Sequence, residues 1–288
     1  MKKLVMAVLS MLLIALLSVS MVACGGAEDV KIIDIKLSDE SYAYAVKKGN
    51  TELLAKVNEF MEKLKSDEGV GEDGITLDEI VEKEGNGELG NIGTVKTEST
   101  NRADELVVST NAEFAPFEYS DGGKFAGIDM HIAKLMANYM GKTLVILDMK
   151  FDPAILAAAN GDSDICMAGL TITEKRKETL DFSVEYYQAT QKIAVRKSNT
   201  TFDECKTAED VENILSAMKD KKAGAATAQT GYFYLEGDDS FGFKGFSNIE
   251  IKPYDTIGLA VKDLSNGKVD FVVADGTTLA LVVKGING

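Results

Sequence analysis

The sequence predicts an α/β protein with two lobes, because short β-forming runs alternate with amphipathic helical patterns in two successive series. The first series starts at Glu105 and the second at Lys192, and the 288 residues are enough for two modest cores. Predicted strands lie at 106–110, 144–147, 164–167, 192–196, 222–226, 249–252 and 269–274. Predicted helices lie at 127–140, 153–159, 208–218, from 230 onward, 256–264 and 277–283.

The residues before the first series have a different organisation. Strands are predicted at 31–37 and 41–47, and amphipathic helices at 51–65 and 76–84. Residues 85–104 contain Gly, Asn, Thr and Ser but few large apolar side chains. We therefore expect a flexible linker there.

The first residues follow the order of an export signal. Two lysines precede an apolar run over 4–17, and small residues lead to Cys24. The run is shorter than the about 20 residues that cross a bilayer. Residues 1–23 are therefore predicted to be a lipoprotein signal peptide, with lipidation of Cys24 anchoring an extracytoplasmic protein to the cell membrane. The alternative is an ordinary signal peptide cleaved nearby.

Composition argues against several classes of function. The formal net charge of −15 is spread along the chain, whereas nucleic-acid binding needs clustered Lys and Arg. The only histidine, His131, is expected at the surface, so a zinc site or a Ser-His-Asp triad lacks parts. Cys166 and Cys205 lie in unlike contexts, which favours buried or idle thiols over a disulfide.

Three loop segments carry residue types that suit a free amino acid, which needs a cation for its carboxylate and a carboxylate for its ammonium group. In the first, Phe114 lies in a loop after a strand and is a candidate for packing on a ligand, while Phe117 is expected in the core. The third segment is Asp275, at the end of a strand, which could cap the next helix or bind an ammonium group.

The second segment runs from Ala168 to Arg176. Gly169 allows close approach of the backbone to a ligand. Thr173 is a candidate helix N-cap that places Arg176 in the first turn, where a cation opposes the helix dipole. A purely structural role therefore gains little, and Arg176 is the candidate carboxylate anchor. The alternative is a solvated arginine.

The residues of these segments and their order along the chain resemble those of the polar amino-acid-binding proteins of ABC importers, bacterial extracellular solute-binding protein family 3. The resemblance covers essentially all of 105–288 and implies a two-lobed, periplasmic-binding-protein-like (type II) fold with a two-strand hinge. It is carried by TNAEFAPFEY (110–119), GID (127–129), NGDSD (160–164), TITEKR (171–176), DFS (181–183), YY (186–187) and NGKVD (266–270) with Asp275.

The resemblance also implies roles for single residues. Arg176 would hold the ligand carboxylate with help from Thr171, and Asp275 would hold the ammonium group. Phe114 would pack on the ligand side chain, and Thr230 is the match to the second-lobe carboxylate loop. Asn111 and Phe151 would line the pocket. No cofactor or metal is implied, and the amino acid itself is not named by the sequence.

The implied function is capture of a free amino acid by a monomer that delivers it to an ABC importer permease. One alternative is an enzyme of the same fold, related to prephenate or arogenate dehydratases, since fold alone does not fix function. Glu113 would then be the pocket acid. A second alternative is a ligand-sensing module.

The order of the segments suggests a circular permutation. The runs at 30–34 and 42–50 resemble the family's final lobe-two strand and return crossover, and the helical segments at 52–60 and 76–80 resemble its closing helices. Lobe one would then span 40–193, including a permutation linker at 85–104, and lobe two would combine 28–39 with 194–288. The alternative is an unrelated appended domain in front of a truncated second lobe.

Overall fold

The structure, a computed structural model, describes residues 27–288. The predicted signal peptide at 1–23 and the predicted lipidation site, Cys24, lie outside this range. None of the helices within it combines the length and apolar character needed to cross a bilayer.

Fifteen strands and nine helices are formed by the described residues. In chain order they are β1 (Val30–Ile33), β2 (Glu40–Tyr42), β3 (Ala45–Lys47), α1 (Thr51–Leu64), α2 (Leu77–Gly85), β4 (Glu105–Thr110), β5 (Glu113–Phe114), β6 (Glu118–Asp121), β7 (Lys124–Ala126), α3 (Ile128–Tyr139), β8 (Thr143–Asp148), α4 (Phe151–Asn160), β9 (Ile165–Cys166), α5 (Glu174–Lys177), β10 (Leu180–Phe182), β11 (Tyr187–Ala189), β12 (Gln191–Arg196), α6 (Ala208–Ala217), β13 (Lys221–Ala226), α7 (Thr230–Glu236), β14 (Ile249–Tyr254), α8 (Ile257–Ser265), β15 (Phe271–Asp275) and α9 (Gly276–Asn287).

Two five-stranded sheets form the cores of the two lobes. The first has the order β10-β3-β9-β4-β8, with β4 parallel to both β8 and β9. The second has the order β1-β12-β15-β13-β14, with β13 parallel to both β14 and β15. A two-stranded ribbon of β2 and β11 joins them. The chain therefore passes between the sheets through neighbouring antiparallel segments.

The front of the chain contributes to both sheets. β1 pairs antiparallel with β12, with Val30 opposite Arg196 and Ile33 opposite Ile193. The Asn287 side chain at the end of α9 donates to the Val30 carbonyl at 2.8 Å and accepts from the Val30 amide at 2.9 Å. β3 lies between β9 and β10 in the other sheet.

The predicted strand at 41–47 is in fact two strands. β2 pairs with β11, whereas β3 pairs with β9 and β10, so the chain changes partners at Ala43 and Tyr44. Likewise the predicted strand at 31–37 ends at Ile33, after which the chain leads to the ribbon. In both cases a single β-forming run spans a passage between lobes.

Two prolines lie inside elements whose predicted limits were too short. α4 starts at Phe151, two residues before Pro153, which is tolerated because amides of the first turn have no helical partner. β14 continues through Pro253 to Tyr254. It can do so because β14 is an edge strand, where a missing N–H need not interrupt a ladder.

The segment expected to be a flexible linker, 85–104, packs on the first lobe. After α2 it has no helix and only isolated β-bridges, but the Ile146 amide donates to the Lys96 carbonyl at 2.9 Å. This contact covers the edge strand β8, which would otherwise offer free backbone groups to another chain. His131 on α3, expected at the surface, is half-buried against the Gly90 carbonyl at 3.1 Å.

The end of this segment is fixed by the buried carboxylate of Glu105. It accepts from the Lys96 ammonium at 2.9 Å, from the Ser99 hydroxyl at 2.7 Å, and from the amides of Thr100 and Asn101 at 3.1 and 3.2 Å. The hydrogen bonds, that from Lys96 first, lower the pKa of Glu105 from 4.5 to about 2.

Glu105→Gln is expected to destabilise the protein at neutral pH and to flatten the acid side of its stability curve. A lowered folded-state pKa means that the stabilisation is present above pH 4.5 and is lost as the pH falls toward about 2. Denaturant unfolding across this pH range measures the effect. Glu98→Gln, an exposed carboxylate of the same segment, is the control. Equal pH dependence of Glu105→Gln and wild type would contradict the anchoring role.

Candidate functional site

The carboxyl ends of the parallel strands in both lobes face one cleft, as ligand sites in open α/β sheets generally do. β4, β8 and β9 lead into lobe-one loops, and β13 and β15 lead into helices α7 and α9. The cavity at this position is lined by Tyr42, Phe114, Phe151, Ala168, Gly169, Thr171, Gln191, Gln229, Thr230 and Asp275.

This cavity is closed by direct contacts between the lobes. The Tyr42 hydroxyl donates to Oδ2 of Asp275 at 3.0 Å, and the hydroxyls of Thr171 and Thr230 lie 3.4 Å apart. The remaining volume is about 20 Å³, which is room for roughly one water molecule. A larger guest can enter only if the lobes or the lining side chains move apart.

Larger openings exist on the outside of lobe one but are poorer candidates. One of about 450 Å³ is an open groove beside α1, lined by Lys56, Tyr139 and Lys142 among others. It lies away from the strand ends and mixes acidic and basic side chains without a converging set. The cleft between the lobes, where the carboxyl ends of the parallel strands meet, is therefore the better candidate site.

Arg176 is positioned by a local helix cap, as predicted. The Thr173 hydroxyl accepts the Arg176 amide at 3.2 Å, so α5 starts at Glu174 and carries Arg176 in its first turn. The guanidinium donates to the Thr171 carbonyl at 2.7 Å. It lies 5.4 Å from the ring centre of Phe151 and 5.8 Å from that of Phe241, within the range of cation–π contacts.

The Arg176 guanidinium is partly buried and forms no ion pair with any residue of the described range 27–288. Burial lowers its pKa, because desolvation penalises the charged form. Within residues 27–288, the negative charges of Asp152 and Glu40 act in the opposite direction on its pKa, but neither carboxylate forms a salt bridge with it. A cation in this condition favours an incoming anion.

The sequence suggested that Asp275 either caps a helix or binds an ammonium group, and its position in the structure is compatible with both. Its Oδ1 accepts the amides of Thr277 and Thr278 at 3.0 and 2.9 Å and so caps α9. Its Oδ2 faces the other lobe, where the Tyr42 hydroxyl donates to it. Burial raises the pKa of Asp275 to about 6, against the lowering effect of the Thr278 amide. One oxygen is therefore structural and the other points toward the cleft.

Gly169 and Phe114 form one wall of the cleft. Gly169 has φ +52°, and a Cβ added there would lie 2.6 Å from Cε1 of Phe114. The Phe114 ring stacks on Phe117, with centroids 5.4 Å apart, and Phe117 is fully buried as predicted. Glycine is needed both for the left-handed backbone and for the close approach of the ring.

Buried hydrogen bonds link this wall to the lobe-lobe ribbon. The Thr171 hydroxyl donates to Oε2 of Glu40 at 2.9 Å, and Oε1 of Glu40 accepts from the Gln191 amide group at 2.9 Å. Thr230 starts α7 on the opposite side, where a Cβ at Gly231 would lie 2.4 Å from the Val273 carbonyl oxygen. Glu40 thus connects Thr171, in the loop after β9 of the first sheet, with Gln191 at the start of β12 in the second sheet.

The structure brings together six of the eight residues predicted for the site, namely Phe114, Phe151, Gly169, Thr171, Thr230 and Asp275. Arg176 adjoins them through Phe151 and Thr171. Asn111 does not line this cavity. It lies in an adjoining one of about 250 Å³, and its side-chain amide donates to the Met149 carbonyl at 3.0 Å.

Four lining residues were absent from the predicted set: Tyr42, Ala168, Gln191 and Gln229. Ala168 precedes the predicted Gly169, and Gln229 precedes Thr230, so adjacency to a predicted residue was the available signal. Tyr42 and Gln191 flank the passages between lobes. A residue next to a hinge strand is close to both lobes, and this criterion could have selected them.

Three other residues considered from the sequence do not line this cavity. Cys166 and Cys205 are unpaired in the structure, with Cys166 buried. Glu113, the acid considered for an enzymatic role, is exposed and forms an ion pair with Lys150 at 2.8 Å.

Comparison with known proteins supports the resemblance to solute-binding proteins. The model of bacterial extracellular solute-binding proteins, family 3, matches residues 106–232. A probable histidine-binding protein of Neisseria gonorrhoeae is 34% identical over 178 residues, which cover 62% of this chain and 61% of that protein. The chain therefore spans about three fifths of the length of this curated relative.

Solved structures of amino-acid-binding proteins are also similar to this chain. An ancestral arginine-binding protein bound to glutamine has 34% sequence identity and a TM-score of 0.53, over 63% of this chain and 74% of its own. The ancestral amino acid-binding protein AncCDT-1, described as a precursor of cyclohexadienyl dehydratase, has 28% identity and a TM-score of 0.54, over 64% and 76%. These likenesses confirm the predicted two-lobed fold, and the chain belongs to the bacterial extracellular solute-binding proteins of family 3.

Proposed function

We propose that this protein captures a free amino acid between its lobes and delivers it to an ABC importer. The observation that carries the proposal is the placement of opposite charges around one cleft. Arg176 on lobe one is a desolvated cation without an ion pair in the described residues, and Asp275 on lobe two turns one carboxylate oxygen toward the cleft. A zwitterion matches both.

In the proposed complex, Arg176 and the Thr171 hydroxyl bind the carboxylate of the ligand, and Asp275 binds its ammonium group. Phe114 and Phe151 contact the side chain. The Tyr42–Asp275 hydrogen bond is then exchanged for a contact with the ligand. Because the ligand touches both lobes only when they are together, it favours the closed state by differential affinity.

A binding role is preferred to an enzymatic one. The histidine-binding relative is named for binding. AncCDT-1 is itself described as an amino acid-binding protein, although a dehydratase descended from it. In this chain Glu113 is exposed and paired with Lys150, which does not suit a pocket acid that transfers a proton.

Arg176→Ala is expected to weaken the binding of the preferred amino acid by about 2–5 kcal/mol, because it removes one partner of a buried charge pair. A thermal-shift screen of the common amino acids, with histidine and arginine included, first identifies that ligand. Isothermal titration calorimetry at about pH 8 then gives the affinities, since Asp275 with a pKa of about 6 is ionised there.

Lys177→Ala is the matched control, since it removes an exposed cation from the same short helix. Arg176→Lys keeps the charge but loses the two-pronged geometry, so an intermediate affinity is expected. An unchanged affinity in Arg176→Ala would reject the carboxylate assignment. A screen in which no amino acid raises the melting temperature would reject the proposed function itself.

We further propose that the chain is a circular permutant, with lobe one at 40–193 and lobe two formed by 28–39 and 194–288. The position of β1 in the second sheet supports this, as does the contact of Asn287 with Val30, which puts the two ends of lobe two side by side. A permuted chain aligns with its relatives only over residues in the same order, and these three matches cover 62–64% of it.

Reversing the permutation is expected to preserve folding and ligand affinity. The reversed chain starts at Glu88, joins Gly288 to Asp29 through a short Gly-Ser linker, and ends at Gly87. Because the joined ends are adjacent, we expect an affinity within about twofold of wild type. Deleting 27–97 without reconnection is expected to prevent folding, whereas a folded, ligand-binding deletion variant would favour an appended domain.

Membrane anchoring belongs to the same proposal and is supported by the sequence alone. Lipidated Cys24 would lie six residues before β1, so a short tether would hold lobe two near the membrane. We propose that the protein acts as a monomer facing an importer permease.

A further inference from the structure

A pair of buried carboxyl groups lies directly behind the cleft wall. Glu118 on β6 and Asp129 on α3 are both fully buried. Neither oxygen of Glu118 receives a hydrogen bond from any residue in the described range, and its carboxyl group faces that of Asp129. Two unpaired anions at this depth would be costly, because neither solvent nor a cation compensates them.

Asp129 connects this pair to the cleft. Its Oδ2 accepts the backbone amide of Gly169 at 2.9 Å, and its Oδ1 accepts the Tyr44 hydroxyl at 3.1 Å. The Tyr186 hydroxyl faces the same carboxylate, and the Tyr44 and Tyr186 rings stack with centroids 4.4 Å apart. An ionised Asp129 can accept all of these donors, since a carboxylate offers about four acceptor positions.

The hydrogen bonds that each carboxyl group accepts indicate how many protons the Glu118–Asp129 pair holds. Asp129 accepts hydrogen bonds from Gly169 and Tyr44 that favour its charged form, whereas Glu118 accepts none within the described residues and can satisfy one oxygen only by donating an O–H. A hydrogen bond from protonated Glu118 to ionised Asp129 leaves one negative charge with several donors around it. This arrangement satisfies both carboxyl groups with a single proton.

We propose that Glu118 is a positioning residue that keeps this proton, and that Asp129, held ionised and oriented by it, fixes the Gly169 backbone and so the shape of the ligand-binding wall. The inference rests on the proposed binding function for its effect on affinity. Its effect on Gly169 does not depend on any ligand. A Gly169 displaced by a few tenths of an ångström would disturb Phe114, which lies against it.

The surroundings of the pair agree with this assignment. The titratable groups whose charges interact with Glu118 are Asp129, Asp148, Cys166, Tyr42, Tyr44 and Tyr186, and none of them is a cation. Burial, then the negative charge of Asp129, raises the pKa of Glu118 well above its ordinary value. Burial likewise raises the pKa of Asp129 to about 6.

The direction of the pH effect follows. A carboxyl group whose folded-state pKa is raised contributes stability that is fully present below its ordinary pKa of 4.5 and is lost as the pH rises through the folded value. Raising the pH through that value removes the shared proton and places two anions face to face. The wall at Gly169 is then expected to shift and the ligand to bind more weakly.

The experiment compares wild type, Glu118→Gln and Glu118→Ala from about pH 7, where Asp275 and Asp129 are already ionised, up to the highest pH at which the protein stays folded. Glutamine keeps a permanent donor and cannot titrate. The first readout is the amide resonance of Gly169 in the ¹H–¹⁵N NMR spectrum without ligand. The second is the dissociation constant of the ligand found in the thermal-shift screen. Asp121→Asn, an exposed carboxylate on the same strand, is the matched control.

We expect the Gly169 resonance to titrate in wild type and in Asp121→Asn but not in Glu118→Gln. At about pH 7 we expect Glu118→Gln to bind within about twofold of wild type and Glu118→Ala at least about fivefold more weakly, because the buried donor is lost. Identical titration curves in wild type and Glu118→Gln would overturn the inference. Should Glu118→Ala not fold, the comparison of wild type with Glu118→Gln decides alone.

The readouts separate this inference from the proposed function. A Gly169 resonance that titrates through Glu118 supports the positioning role even where no amino acid binds. Tight amino-acid binding with a Gly169 resonance insensitive to Glu118→Gln leaves the binding function intact and overturns the positioning role.

Discussion

The arrangement of the molecule depends on the pairing of β2 with β11, with Tyr42 opposite Tyr187. Within the described residues the chain passes between the lobes only beside this ribbon, once on the way to β3 and once on the way to β12. The ribbon leads into the first sheet through β3 and into the second through β12. The loops that follow their parallel strands are therefore brought face to face, and a small rotation about the ribbon changes every contact between them.

Several polar groups of the closed cleft are paired across this boundary, although Oε1 of Gln191 is buried without a partner among the described residues. Tyr42 donates to Asp275, and Glu40 accepts from both Thr171 and Gln191. These groups would be costly to bury without partners. Arg176 differs from them, since it has only a carbonyl acceptor and two aromatic rings in contact. The closed form thus leaves one strong charge without a counter-ion among the described residues.

Sequence patterns predicted the features that depend on neighbouring residues. The cap at Thr173 that places Arg176, and the position of Asp275 at a strand end, depend only on nearby residues. The limits of β14 and α4 were missed because whether a proline is tolerated depends on edge position and on the first helical turn.

Contacts between segments that are distant along the chain could not be predicted from local sequence patterns. Tyr42 enters the site through its pairing with a residue far along the chain, and Phe241 reaches Arg176 from a loop of the other lobe. Asn111 turns away from the main cavity because the Met149 carbonyl accepts its amide group. The Glu118–Asp129 pair likewise becomes visible only when β6 and α3 are packed together.

The pairing of β1 with β12 has a consequence for the order in which the protein is made. Ile33 and its partner Ile193 are 160 residues apart, so β1 emerges long before the strand that it needs. At roughly 5–20 residues per second the delay is about 8–30 s. During this time β1 is an exposed, aggregation-prone segment. The charges of Lys31, Asp34 and Lys36 around Ile32 and Ile33 act as gatekeepers that discourage pairing with another chain until its own partner arrives.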